Sequence, residues 1–159
     1  MNELKVDITQ LIERCEEALL RGEKTLVIYR DRENLKNNVL PAEIQPVRVN
    51  IYALWGRVNA DAPWQLMYIG QRQLVSGWAR VKQHLFHKHA DTQSKIDQVR
   101  GWLKKNGEIA VSAILVAPDS MRLAIEEELI KRNSVDPTQL TWNKKGKGKK
   151  KNAAPAVVL

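Results

Sequence analysis

Apolar residues recur every three or four positions near the start of the chain. Ile8, Leu11, Ile12, Cys15, Ala18 and Leu19 fall on one face, which predicts an amphipathic helix over 7–21. Asp7 or Thr9 is placed to cap this helix and Gly22 to stop it. The apolar run Thr25-Leu26-Val27-Ile28-Tyr29 reads as a strand. Residues 30–46 are polar and interrupted by Pro41 and Pro46, so they read as a connector with one short helix near 33–37. From Val47 the period changes to two: Val49, Ile51, Ala53 and Trp55 alternate with Asn50, Tyr52 and Leu54, a strand ending at Gly56. A polar loop over 57–63 leads to a second strand, Gln65 to Ile69, ending at Gly70. The two strands are expected to pair as an antiparallel hairpin. Helices are predicted over 78–87 and 94–105, the second stopped by Asn106-Gly107. A third strand covers 109–116, and a helix capped by Asp119 or Ser120 runs to about Arg132.

The order strand, strand, helix, helix, strand, helix predicts an α+β fold. Its centre is a small three-stranded sheet, antiparallel or mixed, flanked by helices. Three segments follow: an N-terminal helix and strand extension (1–46), a domain over 47–145, and a basic tail over 146–159.

At 159 residues the chain can bury one sizeable core. No stretch reaches the length and apolarity of a membrane span, and the N-terminus lacks the apolar run of a signal peptide. The sole cysteine, Cys15, has no partner for an internal disulfide, so a cytoplasmic, reducing setting is the expectation. The net charge is +8, and its distribution says more than its total. Lys144, Lys145, Lys147, Lys149, Lys150 and Lys151 supply six of those charges with no acidic residue among them, leaving +2 for the rest. Such a run is expected to stay disordered and to neutralise nucleic-acid phosphates without reading sequence; the plainer alternative is a solvated, solubilising tail.

Within the last helix Ile125, Leu129, Ile130 and Leu123 span one arc, and Glu126 lies inside it while Glu127 and Glu128 lie outside. A carboxylate turned toward a core is costly unless it is paired or holds a metal, and Arg122 on the same arc offers an ordinary ion pair. Arg80 and His84 are four apart on the earlier helix and can address one anion together. Arginine brings a planar fork of donors, and histidine can move a proton near neutrality. Tyr52 and Tyr68 fall at matching places on the two hairpin strands, where tyrosine is usually a packing residue. His84, His87, His89 and Cys15 are poorly spaced for tetrahedral zinc.

Taken together these residues resemble the GIY-YIG nuclease family over roughly 47–145. Asn50-Ile51-Tyr52 stands where the first signature triplet would, and Tyr68-Ile69-Gly70 matches the second. Arg80 and His84 keep the family's separation of four. Ile125-Glu126 followed by Leu129-Ile130 is similar to its glutamate helix, and Trp142-Asn143 to its late asparagine. The chain departs from the pattern at Asn50, which replaces a glycine but tolerates unusual backbone angles. The resemblance implies an endonuclease that hydrolyses DNA with one divalent ion, Mg2+ or Mn2+, held by Glu126. Arg80 would bind the phosphate, Tyr52 would be the general base with help from His84, Tyr68 would position the water or the phosphate, and Asn143 would support the site. A stand-alone enzyme of the restriction or phage type fits the short flanks, and a homodimer fits the small catalytic domain. The competing expectations are a binding module of similar fold that does not cut, and a partner protein whose tail docks an acidic surface. Arg57, Arg72 and Gln73 sit on loops from which they could reach DNA.

Overall fold

The computed structural model describes residues 2–87 and 94–143. Helix α1 is Thr9–Leu20, α2 Gly77–Phe86, α3 Ile96–Lys104 and α4 Arg122–Asn133. The strands are β1 Thr25–Val27, β2 Ile51–Arg57, β3 Gln65–Gln71 and β4 Glu108–Ile114. They form one sheet in the order β1-β4-β2-β3, antiparallel at each pairing. The protein is therefore α+β. The sheet has four strands and not three because the short run at Thr25, predicted as a strand of the extension, pairs with Val111 at the edge of β4. Among the described residues no helix is long and apolar enough to cross a membrane.

The alternation along β2 feeds two cores. Tyr52 and Leu54 join Val27, Ile109 and Val111 on one face, covered by Val81, Leu85 and Phe86 of α2 and by Ile96, Val99 and Leu103 of α3. Ile51, Ala53 and Trp55 face the other way with Ala110, Leu66 and Ile69, beneath Ile12, Cys15 and Leu19 of α1 and Ile125, Leu129 and Ile130 of α4. Strand β2 is buried on both sides, so it reads as a continuous apolar run more than as half-exposed alternation. Leu123 departs from the predicted arc: it is exposed, while Ile125, Glu126, Leu129 and Ile130 are buried.

One helix end differs from expectation and one agrees with it. Helix α4 begins after a 3-10 turn (Asp119–Met121) with no side-chain cap, because Asp119 is engaged by Asn50 and Arg122. Helix α3 ends where predicted, with Asn106 in the left-handed region at φ 64°.

Candidate functional site

The β2–β3 register sets the geometry. Tyr52 lies opposite Gly70, and Tyr68 lies opposite Leu54, so the tyrosines are diagonal neighbours on one face and not directly opposed. Their ring centroids are 6.2 Å apart. Gly70 makes the arrangement feasible: a Cβ there would fall 2.6 Å from Tyr52 Oη and 2.7 Å from Tyr68 Cε1. The glycine of the second triplet is thus required for space, not for an unusual backbone angle.

Helix α2 brings His84 down onto this pair. Its Nε2 is 3.0 Å from Tyr52 Oη, and its ring stands edge-on to Tyr68 at 4.9 Å. Tyr52 is 1% exposed and His84 is completely buried. On the other side of the imidazole, the backbone N–H of Lys95 donates to Nδ1 at 3.1 Å. The Lys95 ammonium lies 5.4 Å from the Tyr68 ring centroid. Lys95 is buried and carries no sequence signal, because a lysine ahead of a helix is ordinarily solvated and its main contribution here comes through the backbone.

Arg80, one turn before His84, is half-buried and donates to Gln83 at 2.8 Å. Glu126 is buried on α4, across the sheet from α2. Arg122 directs its donors to Gln71 and to Asp119. The electrostatics bring Arg80 and Glu126 into the same cluster. Burial holds the Tyr52 hydroxyl well above its usual range; Tyr68 and Glu126 push the same way and Arg80 opposes them. Burial also raises Tyr68, with Glu126 reinforcing and Arg80 opposing. His84 moves in the other direction, to about 3, first through burial and then through the positive charges of Arg80 and Lys95. It is therefore a neutral imidazole at physiological pH.

Two asparagines frame the site. Asn143 accepts from the Ile69 N–H at 2.8 Å and donates to the Ile69 carbonyl at 2.9 Å, closing the free edge of β3 beside Tyr68. Asn50 is fully buried and has no positive φ. Its carboxamide accepts from Val116 N–H at 2.8 Å and donates to Val116 O at 2.7 Å and to Asp119 at 2.9 Å. The side chain at the departing position ties the start of β2 to the segment leading into α4, the helix that carries Glu126. Asparagine is there for its two-sided amide, not for backbone tolerance.

Some expected residues lie elsewhere. Arg57 stands at the far end of β2, bonded to Glu108 at 3.0 Å and stacked on Trp64 at 4.2 Å. It lies five positions along the strand from Tyr52, about 16 Å. Arg72 and Gln73 are exposed directly after β3 and remain near the cluster. Cys15 belongs to the core under α1, whereas His84 is buried on α2 at the other face. His89 and Lys144, Lys145, Lys147, Lys149, Lys150 and Lys151 lie outside the described residues. Comparison with family models, with curated proteins and with solved structures gives no match.

Proposed function

We propose that the chain is a metal-dependent DNA endonuclease of the GIY-YIG kind, hydrolysing phosphodiester bonds. The observation that supports this most is the convergence of Tyr52, Tyr68, Arg80, His84 and Glu126, from two strands and two helices, into one electrostatic cluster. A purely structural core has no need of a buried carboxylate and a guanidinium acting on two tyrosine hydroxyls.

In this reading Arg80 binds the scissile phosphate through its forked donors and offsets the charge that builds as water attacks. Tyr52 acts as base in its phenolate form. Solvent hydroxide first removes the hydroxyl proton and becomes water. The phenolate then takes a proton from the attacking water as the new O–P bond forms and the bond to the leaving sugar oxygen breaks. Burial opposes the phenolate and Arg80 favours it, so the rate is expected to rise as pH increases above neutrality. Tyr68 positions the water or the phosphate. Asn143 acts indirectly, by holding β3.

Glu126 would hold Mg2+ (or Mn2+). Mg2+ commonly accepts one or two carboxylates with substrate oxygens and water, and one buried carboxylate acting on the same two tyrosines as Arg80 fits that need. Among the described residues no group of three or more His, Cys, Asp or Glu offers an all-protein cage. When bound, the ion would polarise the phosphate and stabilise the leaving oxygen. The lysine tail is the second DNA contact in this proposal, a sequence-blind one.

The test is incubation of the full chain with supercoiled plasmid, with and without Mg2+, beside Glu126→Gln. Cutting that needs the metal and falls at least about a hundredfold in the variant is expected. Equal rates in the two proteins would remove the metal assignment. Salt-sensitive binding without cutting would turn the reading to a non-catalytic binding module.

A further inference from the structure

Both ring nitrogens of His84 are engaged, and one of the partners has a fixed sense. Lys95 reaches Nδ1 through its backbone N–H, at 3.1 Å. An N–H only donates, so Nδ1 is an acceptor, and a neutral imidazole must then carry its proton on Nε2. The Tyr52 oxygen, 3.0 Å from Nε2, is therefore on the receiving end of that bond. Tyr52's own proton cannot occupy the same line, and it turns away from His84. Tyr68 is a neighbour on the same face, its ring centroid 6.2 Å from that of Tyr52.

We propose that Lys95 is a positioning residue: its backbone N–H and its ammonium together hold His84 as a neutral, one-way hydrogen-bond donor to Tyr52. The N–H fixes the tautomer, and the charge makes a second proton on the ring unwelcome. His84 then steadies negative charge on the Tyr52 oxygen but never takes the Tyr52 proton. The groups around the ring agree with this polarity. Tyr52 from β2 and Tyr68 from β3 are neutral, Arg80 on α2 and Lys95 ahead of α3 are positive, and Glu126 on α4 acts on the tyrosines. Among the described residues, the groups shown acting on the imidazole, Arg80 and Lys95, are positive and disfavour an imidazolium.

The catalytic meaning of this lock rests on the nuclease reading, but the lock itself is measurable without DNA. The experiment is long-range proton–nitrogen NMR on the full chain with 15N-labelled histidine, titrated from pH 8 to pH 5 and then on to the acid limit of the folded state, where the wild type and Lys95→Met are compared. The expected spectrum gives His84 an unprotonated Nδ1 and a protonated Nε2 throughout pH 8 to pH 5. A proton on Nδ1, or an imidazolium forming near pH 6, would overturn the proposal. Lys95→Met keeps the N–H and removes the charge. It should leave the tautomer unchanged and raise the proton affinity of His84 about tenfold. An unchanged titration in Lys95→Met would discard the role of the ammonium. Lys95→Pro deletes the donor and should let both tautomers appear; if it does not fold, the wild-type spectrum and Lys95→Met still decide. A wild-type protein that leaves plasmid intact would sink the nuclease reading, while the role of Lys95 would still be decided by the NMR spectra.

Discussion

Each face of the sheet contains a buried two-bond chain, and the two chains end differently. Under α1, Trp55 Nε1–H donates to Ser112 Oγ at 2.8 Å, and Ser112 donates to the Leu19 carbonyl at 2.7 Å. Under α2, the Lys95 N–H meets His84 at 3.1 Å and His84 meets Tyr52 at 3.0 Å. Both satisfy buried polar atoms, which is the first requirement of any core. The Trp55 chain starts at an indole and stops at a main-chain carbonyl, and nothing in it titrates near neutrality. The Tyr52 chain starts at the backbone and stops at a hydroxyl, in a field made by Arg80 and Glu126. Burial drives its two titratable members in opposite directions, Tyr52 up and His84 down. Divergent shifts of neighbouring groups are what acid–base chemistry needs and what packing alone does not.

The comparison is broken most sharply by shortening each chain at its aromatic end. Tyr52→Phe deletes one hydroxyl and keeps the ring. If the proposed nuclease uses Tyr52 as its general base, plasmid cleavage falls by roughly a hundred to ten thousandfold. Trp55→Phe should lower the melting temperature and leave the rate per folded molecule within about twofold. Equal rate losses would mean that the Tyr52 hydroxyl is a packing group.

Gly70 tests the space around the hydroxyl instead of its chemistry. A Cβ at 2.6 Å from Tyr52 Oη must displace a ring that is buried in the core. Gly70→Ala is expected to cost about 1–3 kcal/mol of stability by denaturant titration and to reduce cleavage beyond that loss of folded protein. Gly56 is the control at the far end of β2, where a Cβ would meet Trp102 at 2.9 Å. Gly56→Ala should destabilise to a similar degree with no separate effect on rate. A Gly70→Ala protein that stays fully active would show that the Tyr52 hydroxyl need not sit where it does.

These two glycines also mark how far the sequence could be read. Periodicity placed α1, the hairpin strands, α2 and α4 within a few residues, because each buries an apolar stripe and the stripe is visible in the chain. It could not place the edge strand β1 in the same sheet as the hairpin, since three residues carry no information about their pairing partner. The positions of Tyr52, Tyr68, Arg80, His84, Glu126 and Asn143 were readable as a pattern of residue types. What Gly70, Asn50 and Lys95 contribute was not. Gly70 provides a void, Asn50 a two-sided amide that imitates a strand partner, and Lys95 a backbone N–H that every residue except proline possesses. Arg57 reads as a loop residue in the sequence, whereas the structure makes it the last residue of β2, held by Glu108 and Trp64.

Acid distinguishes the chains by stability alone. His84 has an ordinary value of 6.5 and is held near 3 in the folded protein, so the folded state refuses a proton that the unfolded chain accepts. Its contribution is fully present above pH 6.5 and is lost as pH falls toward 3, at a limit of about 1.4 kcal/mol per pH unit. Urea titrations at pH 7, 6 and 5 should show this decline, and His84→Gln should flatten it. An unchanged slope in the variant would place the acid sensitivity in other groups.

The smallest effect on function should come from the middle of the Trp55 chain. Ser112→Ala removes both bonds at once and leaves the Trp55 N–H and the Leu19 carbonyl facing a methyl group. Each buried group left without a partner costs about 1–3 kcal/mol. The Ala53 position opposite Ser112 stays apolar, and Tyr52 and its partners lie on the other face. Cleavage per folded molecule is therefore expected to stay within about twofold of wild type, since the lost bonds include no group that binds or titrates. A tenfold fall in rate, with folding intact by circular dichroism, would mean that strain passes through β2 from one face to the other. The two hydrogen-bonded chains would then be one coupled system, and the contrast between a structural face and a chemical face would fail.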